Sequence, residues 1–179
     1  PVLIYFSCLG VGYMFLEMIL IKYFSLYLGH PIYSVSAVIT VMLISSGLGS
    51  MYSEKLGLHD KPHIRILAMV TVLALIYALV LGPLLSGTVG LGLGAKLAIT
   101  LFVIGIPAFF MGMPFPLGLK KLDATKKKVV PWAWGVNGFA SVISVSLAVI
   151  FSVELGFVVV LLLSALAYFL ALLSVRTLT

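Results

Sequence analysis

Residues 12–50, GYMFLEMILIKYFSLYLGHPIYSVSAVITVMLISSGLGS, decide how the whole chain is read. Two apolar runs, each long enough to cross a bilayer core of about 30 Å as a helix, are joined by the short connection Leu28-Gly29-His30-Pro31. The first run carries Glu17 in an otherwise hydrocarbon-like sequence. A carboxylate at membrane depth is unfavourable unless it is neutralised, paired or wetted, so Glu17 is the first functional suspect.

Composition extends this reading to the rest of the chain. Of 179 residues, 63% are hydrophobic and 9% are charged, where soluble domains carry about 25% charged residues. Mean hydropathy is +1.28, which marks an integral membrane protein. Backbone groups in lipid must bond internally, so the apolar runs are helices. Six runs are expected as spans, near 2–26, 33–52, 64–84, 95–114, 132–153 and 155–175, with no room for a soluble domain between them. The expected fold is all-α, a polytopic transmembrane helical bundle of about six spans forming a single domain. The chain opens Pro1-Val2 directly into an apolar run, as expected of a processed chain or part of a longer one. That run is too long for a signal peptide and lacks a small-residue cleavage site, so it counts as a true span.

Charge placement orients the bundle. Lys55, Lys61 and Arg65 lie between spans two and three, Lys120, Lys121, Lys126, Lys127 and Lys128 between four and five, and Arg176 after six. The opposite connections carry only Lys22 and Lys96, so the positive-inside rule places both termini in the cytoplasm. The cluster at 120–128 reads as a solvated topology signal, with contact to anionic lipid head groups or to a cytosolic domain as the functional alternative. It lacks the interleaved aromatics of a nucleic-acid surface, and no nucleic-acid partner is expected. The single cysteine, Cys8, can form no intrachain disulfide and reads as packing.

Local motifs mark where helices meet. Span two ends Ser45-Ser46-Gly47-Leu48-Gly49-Ser50, with small residues four apart that admit a neighbouring backbone, so it is expected to be central. Span four contains Pro107, Pro114 and Pro116 among glycines. Pro107 should kink this helix and Pro114 with Pro116 should end it. The break either exposes carbonyls near the midplane, as in transporters, or is simple termination at the interface. The glycine-rich connection at 86–94 has a superficial phosphate-loop pattern, but a membrane helix rather than a strand precedes it, so no nucleotide site is expected.

Span five opens Pro131-Trp132-Ala133-Trp134, with proline in the first turn and tryptophans suited to an interfacial belt. Asn137 follows about a turn and a half inside, where its amide must face another helix as interhelical glue or as cavity lining. Glu17 and Lys22 are offset by about 140° on a helix and are poorly placed to pair. Partners for Glu17 are sought instead in Asn137, the serines of span two, Ser46 among them, Tyr13 and Tyr77. Glu17, Asn137, Ser46 and Tyr13 form the candidate intramembrane polar site, either a protonated carboxyl bonded inside the bundle or a site for a proton, cation or amine. Pro31 restricts His30 to an extended conformation in an interface turn, where its ring caps a helix end or contacts head groups. His59 and His63 fall on the opposite side, so neither metal, haem nor any other cofactor is expected.

Taken together, residues 10–39 with the SGLGS at 46–50, then MGMPFPLGL at 111–119 and PWAWGVNGFASVISV at 131–145, resemble the C-terminal membrane region of large bacterial spermidine synthase-like membrane proteins. The resemblance covers nearly the whole chain in the same order. It implies the bacterial cytoplasmic (inner) membrane and a partnership with a cytosolic aminopropyltransferase-like domain. That domain is not in this sequence, which has no strand, glycine-rich loop and helix unit and only five scattered carboxylates, Glu17, Glu54, Asp60, Asp123 and Glu154. Aminopropyl transfer would need a domain beyond this chain, so the chain alone is expected to be non-catalytic. Gly47-Leu48-Gly49-Ser50 with Glu54-Lys55 is also similar to a loop of major-facilitator transporters, whose half-unit has six helices. The functional expectation is an anchoring or assembly domain joined to that cytosolic domain or to other membrane subunits. The alternative is a half-unit of a small-molecule transporter, for polyamines or another cation.

Overall fold

The apolar runs become helices whose boundaries follow glycine and proline. The computed structural model describes residues 2–56 and 62–175, with backbone alone for 125–127. These comprise α1 (Val2–Leu28), α2 (Pro31–Ser53), α3 (Pro62–Thr88), α4 (Leu93–Met111), α5 (Pro114–Lys126), α6 (Val130–Glu154) and α7 (Phe157–Val175), with a 3-10 turn at Lys127–Val129. No strand occurs among the described residues. Six stretches are long and apolar enough to cross a membrane, the fourth running from Leu93 to Ala124 through α4 and most of α5. The chain is an all-helical membrane bundle, with the six spans expected.

Two tight joints rest on glycine. Gly29 ends α1 at φ 76° and Gly156 joins α6 to α7 at φ 86°, a left-handed conformation that side chains disfavour. Between Gly29 and the first-turn proline of α2, His30 is extended at φ −130° and ψ 103°.

The hub is α1. It packs most extensively on α6 and α7, then on α2, while α2 pairs with α4 and α3 with α7. Lesser contacts join α3 to α4 and α6 to α7. The other spans thus follow one another around α1 in the order α2, α4, α3, α7, α6, and the ring stays open because α2 and α6 share no substantial contact.

The expectation of a central span two is therefore corrected. Nearly half of α2 is exposed, including Leu43, Ile44, Leu48 and Met51, and its glycine-containing stripe admits the backbone of one neighbour. A β-carbon on Gly49 would overlap the Phe109 carbonyl oxygen, and one on Gly112 would overlap the Ser46 carbonyl, so α2 and α4 touch backbone to backbone. Such a stripe specifies one close contact, and α1, with Gly10 and Gly12, takes the centre instead.

Span four handles its prolines in two ways. The helix continues through Pro107, which is buried within α4. Pro107 has no amide for the carbonyl of Val103, and the Tyr77 hydroxyl donates to that carbonyl from α3. Pro107 is thus no helix break, and Tyr77 serves this carbonyl rather than Glu17. The break comes at Gly112 and Met113, where the Met113 amide turns to the Phe110 carbonyl at 3.3 Å. Pro114 then occupies the first position of α5, where its missing amide has no helical partner to lose. Tyr5 of α1 donates to the Pro114 carbonyl at 2.7 Å and packs on Gly118, holding α5 against the hub. Pro114 therefore restarts the helix after the break, and span four does not terminate there.

Candidate functional site

The opening between α2 and α6 is a groove of about 450 Å³ whose floor is α1. Periodicity puts Gly10, Tyr13, Met14 and Glu17 on one face of α1, since they recur at three and four residues. Gly10, Tyr13 and Met14 line the groove, and Glu17 stands half-buried one turn beyond Tyr13. Ser46, Gly47 and Ser50 form the α2 wall, Asn137 and Ser141 the α6 wall, and Met111, Gly112, Phe115 and Pro116 the broken part of span four. Tyr168 of α7 contributes to the lining, with its ring against Gly12, where a β-carbon would come within 2.8 Å of it.

Three of the four residues expected to form a polar site are thus brought together. The Tyr13 hydroxyl donates to Ser46 Oγ at 3.4 Å, a long bond that holds the phenol loosely. Asn137 Nδ2 donates to the Phe6 carbonyl at 2.9 Å, while Gly10 allows α6 within reach: a β-carbon there would lie 2.7 Å from the Asn137 carbonyl and from Ser141 Oγ. Asn137 both glues α6 to α1 and lines the cavity. Glu17 lies outside the lining, and no hydrogen bond or ion pair joins it to a described residue.

Tyr168 is the residue that sequence reasoning missed. It is 1% exposed, its hydroxyl has no hydrogen-bond partner, and it lines the same groove as Tyr13. The available signal was a lone tyrosine one turn after Ser164 in an otherwise apolar helix. Ser164 donates to the Gly12 carbonyl at 2.7 Å and so seats α7 on α1. At the break, Pro116 has no amide to offer the Gly112 carbonyl, which leaves that oxygen without its helical donor at the groove wall.

The remaining candidates lie elsewhere. His30 is exposed at the N-cap of α2, makes no capping bond through its ring and stands edge-on to Tyr33 at 5.9 Å, so the expected cap is not formed. Lys120 Nζ donates to the carbonyls of Glu54 and Leu56 at 3.3 and 3.2 Å, and Lys121 Nζ to that of Val175 at 3.1 Å. Both lysines therefore satisfy carbonyls at helix C-terminal ends, favourable sites for a cation. Lys128 is exposed, and the side chains of Lys126 and Lys127 fall outside the described residues, as do His59, Asp60, Lys61 and Arg176. At the other end Lys96 Nζ donates to the Tyr27 carbonyl at 3.2 Å and sits 5.1 Å from the Tyr27 ring centroid, closing α1.

What the arrangement can do is bind. The groove has apolar walls with a few hydroxyl and amide groups, the usual make-up of a small-molecule site, and a volume in the usual range of about 300–1,000 Å³. Among the described residues no group of three His, Cys, Asp or Glu side chains could hold a metal ion. Compared with protein-family models, curated proteins and solved structures, the chain matches none.

Proposed function

We propose that this chain is a membrane assembly domain whose open side, between α2 and α6, receives further membrane-spanning segments. The observation that carries the proposal is the incomplete ring around α1, which leaves the Glu17 face of the hub only partly covered. A carboxyl group without a protein partner is poorly suited to lipid, and a covering helix would give it one. Exposed apolar residues of α2 and α6, including Leu43, Phe139 and Val142, extend the apolar surface such segments would meet. In this reading the end bearing Lys55, Arg65, Lys120, Lys121 and Lys128 faces the cytoplasm of a bacterial inner membrane. The spermidine synthase-like resemblance would place an aminopropyltransferase-like domain, or an anionic membrane surface, beside that end.

A second reading, half of a small-molecule transporter, is favoured by the meeting of Tyr13, Ser46 and Asn137 with the proline-broken part of span four in one groove. Discontinuous helices at a polar cavity are a recurring means of holding substrate in transporters. Both readings require a second membrane unit, and they differ in whether anything moves through.

The test is the mass of the native protein, with everything that copurifies in mild detergent. A longer chain, or a stoichiometric complex with other membrane subunits, is the expected result, and loading a polyamine into vesicles containing that complex separates transport from assembly. A lone 19.2 kDa chain carrying only lipid would overturn the proposal.

A further inference from the structure

The donors and acceptors of the groove do not balance. Tyr168 presents a buried hydroxyl with no protein acceptor, and Tyr13, beside it, is held to Ser46 only by a 3.4 Å bond. Asn137 uses its amide nitrogen once, toward Phe6, and keeps a second hydrogen. No Lys, Arg, His, Asp or Glu lines the groove, so no lining group neutralises a charged ligand. A buried hydroxyl left unpaired is unfavourable by about 1–3 kcal/mol, which a ligand oxygen would relieve.

We propose that the groove binds a neutral, membrane-soluble molecule whose carbonyl or ester oxygen accepts a hydrogen bond from the Tyr168 hydroxyl and whose apolar body lies between α2 and α6. Tyr13, loosely tied, turns aside to admit that oxygen. Leu9 and Met14 from the hub, Leu43 from α2, and Met111 and Phe115 from span four supply the apolar contact. The same chemistry is offered by a prenyl-type quinone and by the ester region of a diacyl lipid. The ligand would sit at the end of this opening lined by Gly10, Tyr13 and Met14, the same opening that receives further segments in the proposed function, and its binding is read without those segments.

Two substitutions test the site without threatening the fold. Tyr168→Phe removes a hydroxyl that bonds nothing in the protein and keeps the ring against Gly12. Gly47→Leu fills the groove from α2, where an added β-carbon meets no atom within 4 Å. The reporter is Trp134, whose ring stacks edge-on to Phe115 at a centroid distance of 4.7 Å. In a Trp132→Phe background it is the only tryptophan among these 179 residues.

Decylubiquinone titrated into the protein in maltoside micelles should quench Trp134 with a saturable component. Tyr168→Phe should raise the half-saturation concentration about tenfold, in line with the loss of one hydrogen bond. Gly47→Leu should abolish the saturable component. Competition then separates the sources: displacement by dioctanoylglycerol supports an ester ligand, and its failure to displace supports the quinone type. Purely linear quenching, an equal response in all three proteins, or stronger displacement by decylamine or decyl phosphate would overturn the proposal.

Discussion

The two helices that lean most on the hub, α6 and α7, differ in how much of themselves they bury. The most apolar window of α7 has a mean hydropathy of 2.7 and is 44% buried, while that of α6 stands at 2.0 and is 17% buried. Both are apolar enough to span, so hydropathy does not decide which one is enclosed. Lipid tails are as apolar as leucine, and helices associate in them through close packing and hydrogen bonds. Sandwiched between α1 and α3, α7 seats Ser164 on the Gly12 carbonyl and Tyr168 on the Gly12 backbone. By contrast α6 rests chiefly on α1, through Asn137 and the Gly10 contact, and turns Trp132, Phe139, Val142 and Val153 outward. A closed side and an open side are therefore built from equally membrane-compatible sequence, and the difference lies in small residues and single polar groups.

The contrast is broken most severely at Gly49. Replacing it with leucine drives a side chain into the Phe109 carbonyl, and we expect a loss of about 3 kcal/mol, with thermal stability in detergent falling accordingly. The same substitution two residues earlier, Gly47→Leu, enters open space and should leave stability within about 0.5 kcal/mol of the parent. If both variants unfold alike, the open side is not open. Asn137→Ala sharpens the comparison on α6. It removes the bond to the Phe6 carbonyl, and a destabilisation of about 1 kcal/mol should appear in the same thermal assay.

Lys96→Met tests an end of the hub itself, where the ammonium bonds the Tyr27 carbonyl and faces its ring, and about 0.5 kcal/mol is expected. The smallest effect on the isolated chain belongs to Glu17→Gln, which keeps the shape of a side chain that bonds no described residue. Its melting temperature should match the parent, while recovery of copurifying membrane subunits should fall. In a transporting complex the same variant would express normally and lose ion-coupled uptake. Unchanged copurification and unchanged uptake together would remove Glu17 from both roles.

Much of this was legible in the residues. Length and hydropathy alone determined six spans, because a bilayer core demands about twenty apolar residues of helix each time it is crossed. Gly29 with Pro31 marked the turn between the first two spans, and Asn137, Ser46 and Tyr13 stood out as polar groups needing partners in lipid. Local chemistry was also enough to place a disruption near Pro114. What it could not decide was the fate of each freed carbonyl. Val103 is served by Tyr77 across 26 positions of sequence, while Gly112 loses its helical donor at the groove wall; Tyr5 reaches the Pro114 carbonyl across 109.

Nor could sequence choose the hub. The small-residue stripe of α2 pointed to a central span, yet such a stripe specifies one close neighbour, and that neighbour is α4. Centrality went to α1 because its Gly10 and Gly12 admit α6 and α7 on two sides at once, an arrangement set by partners more than a hundred residues away. The same long-range packing buried Tyr168 beside Tyr13 and left the ring open between α2 and α6. Spans follow from the solvent, which acts on each residue locally, whereas the groove follows from contacts that exist only once all the helices have met.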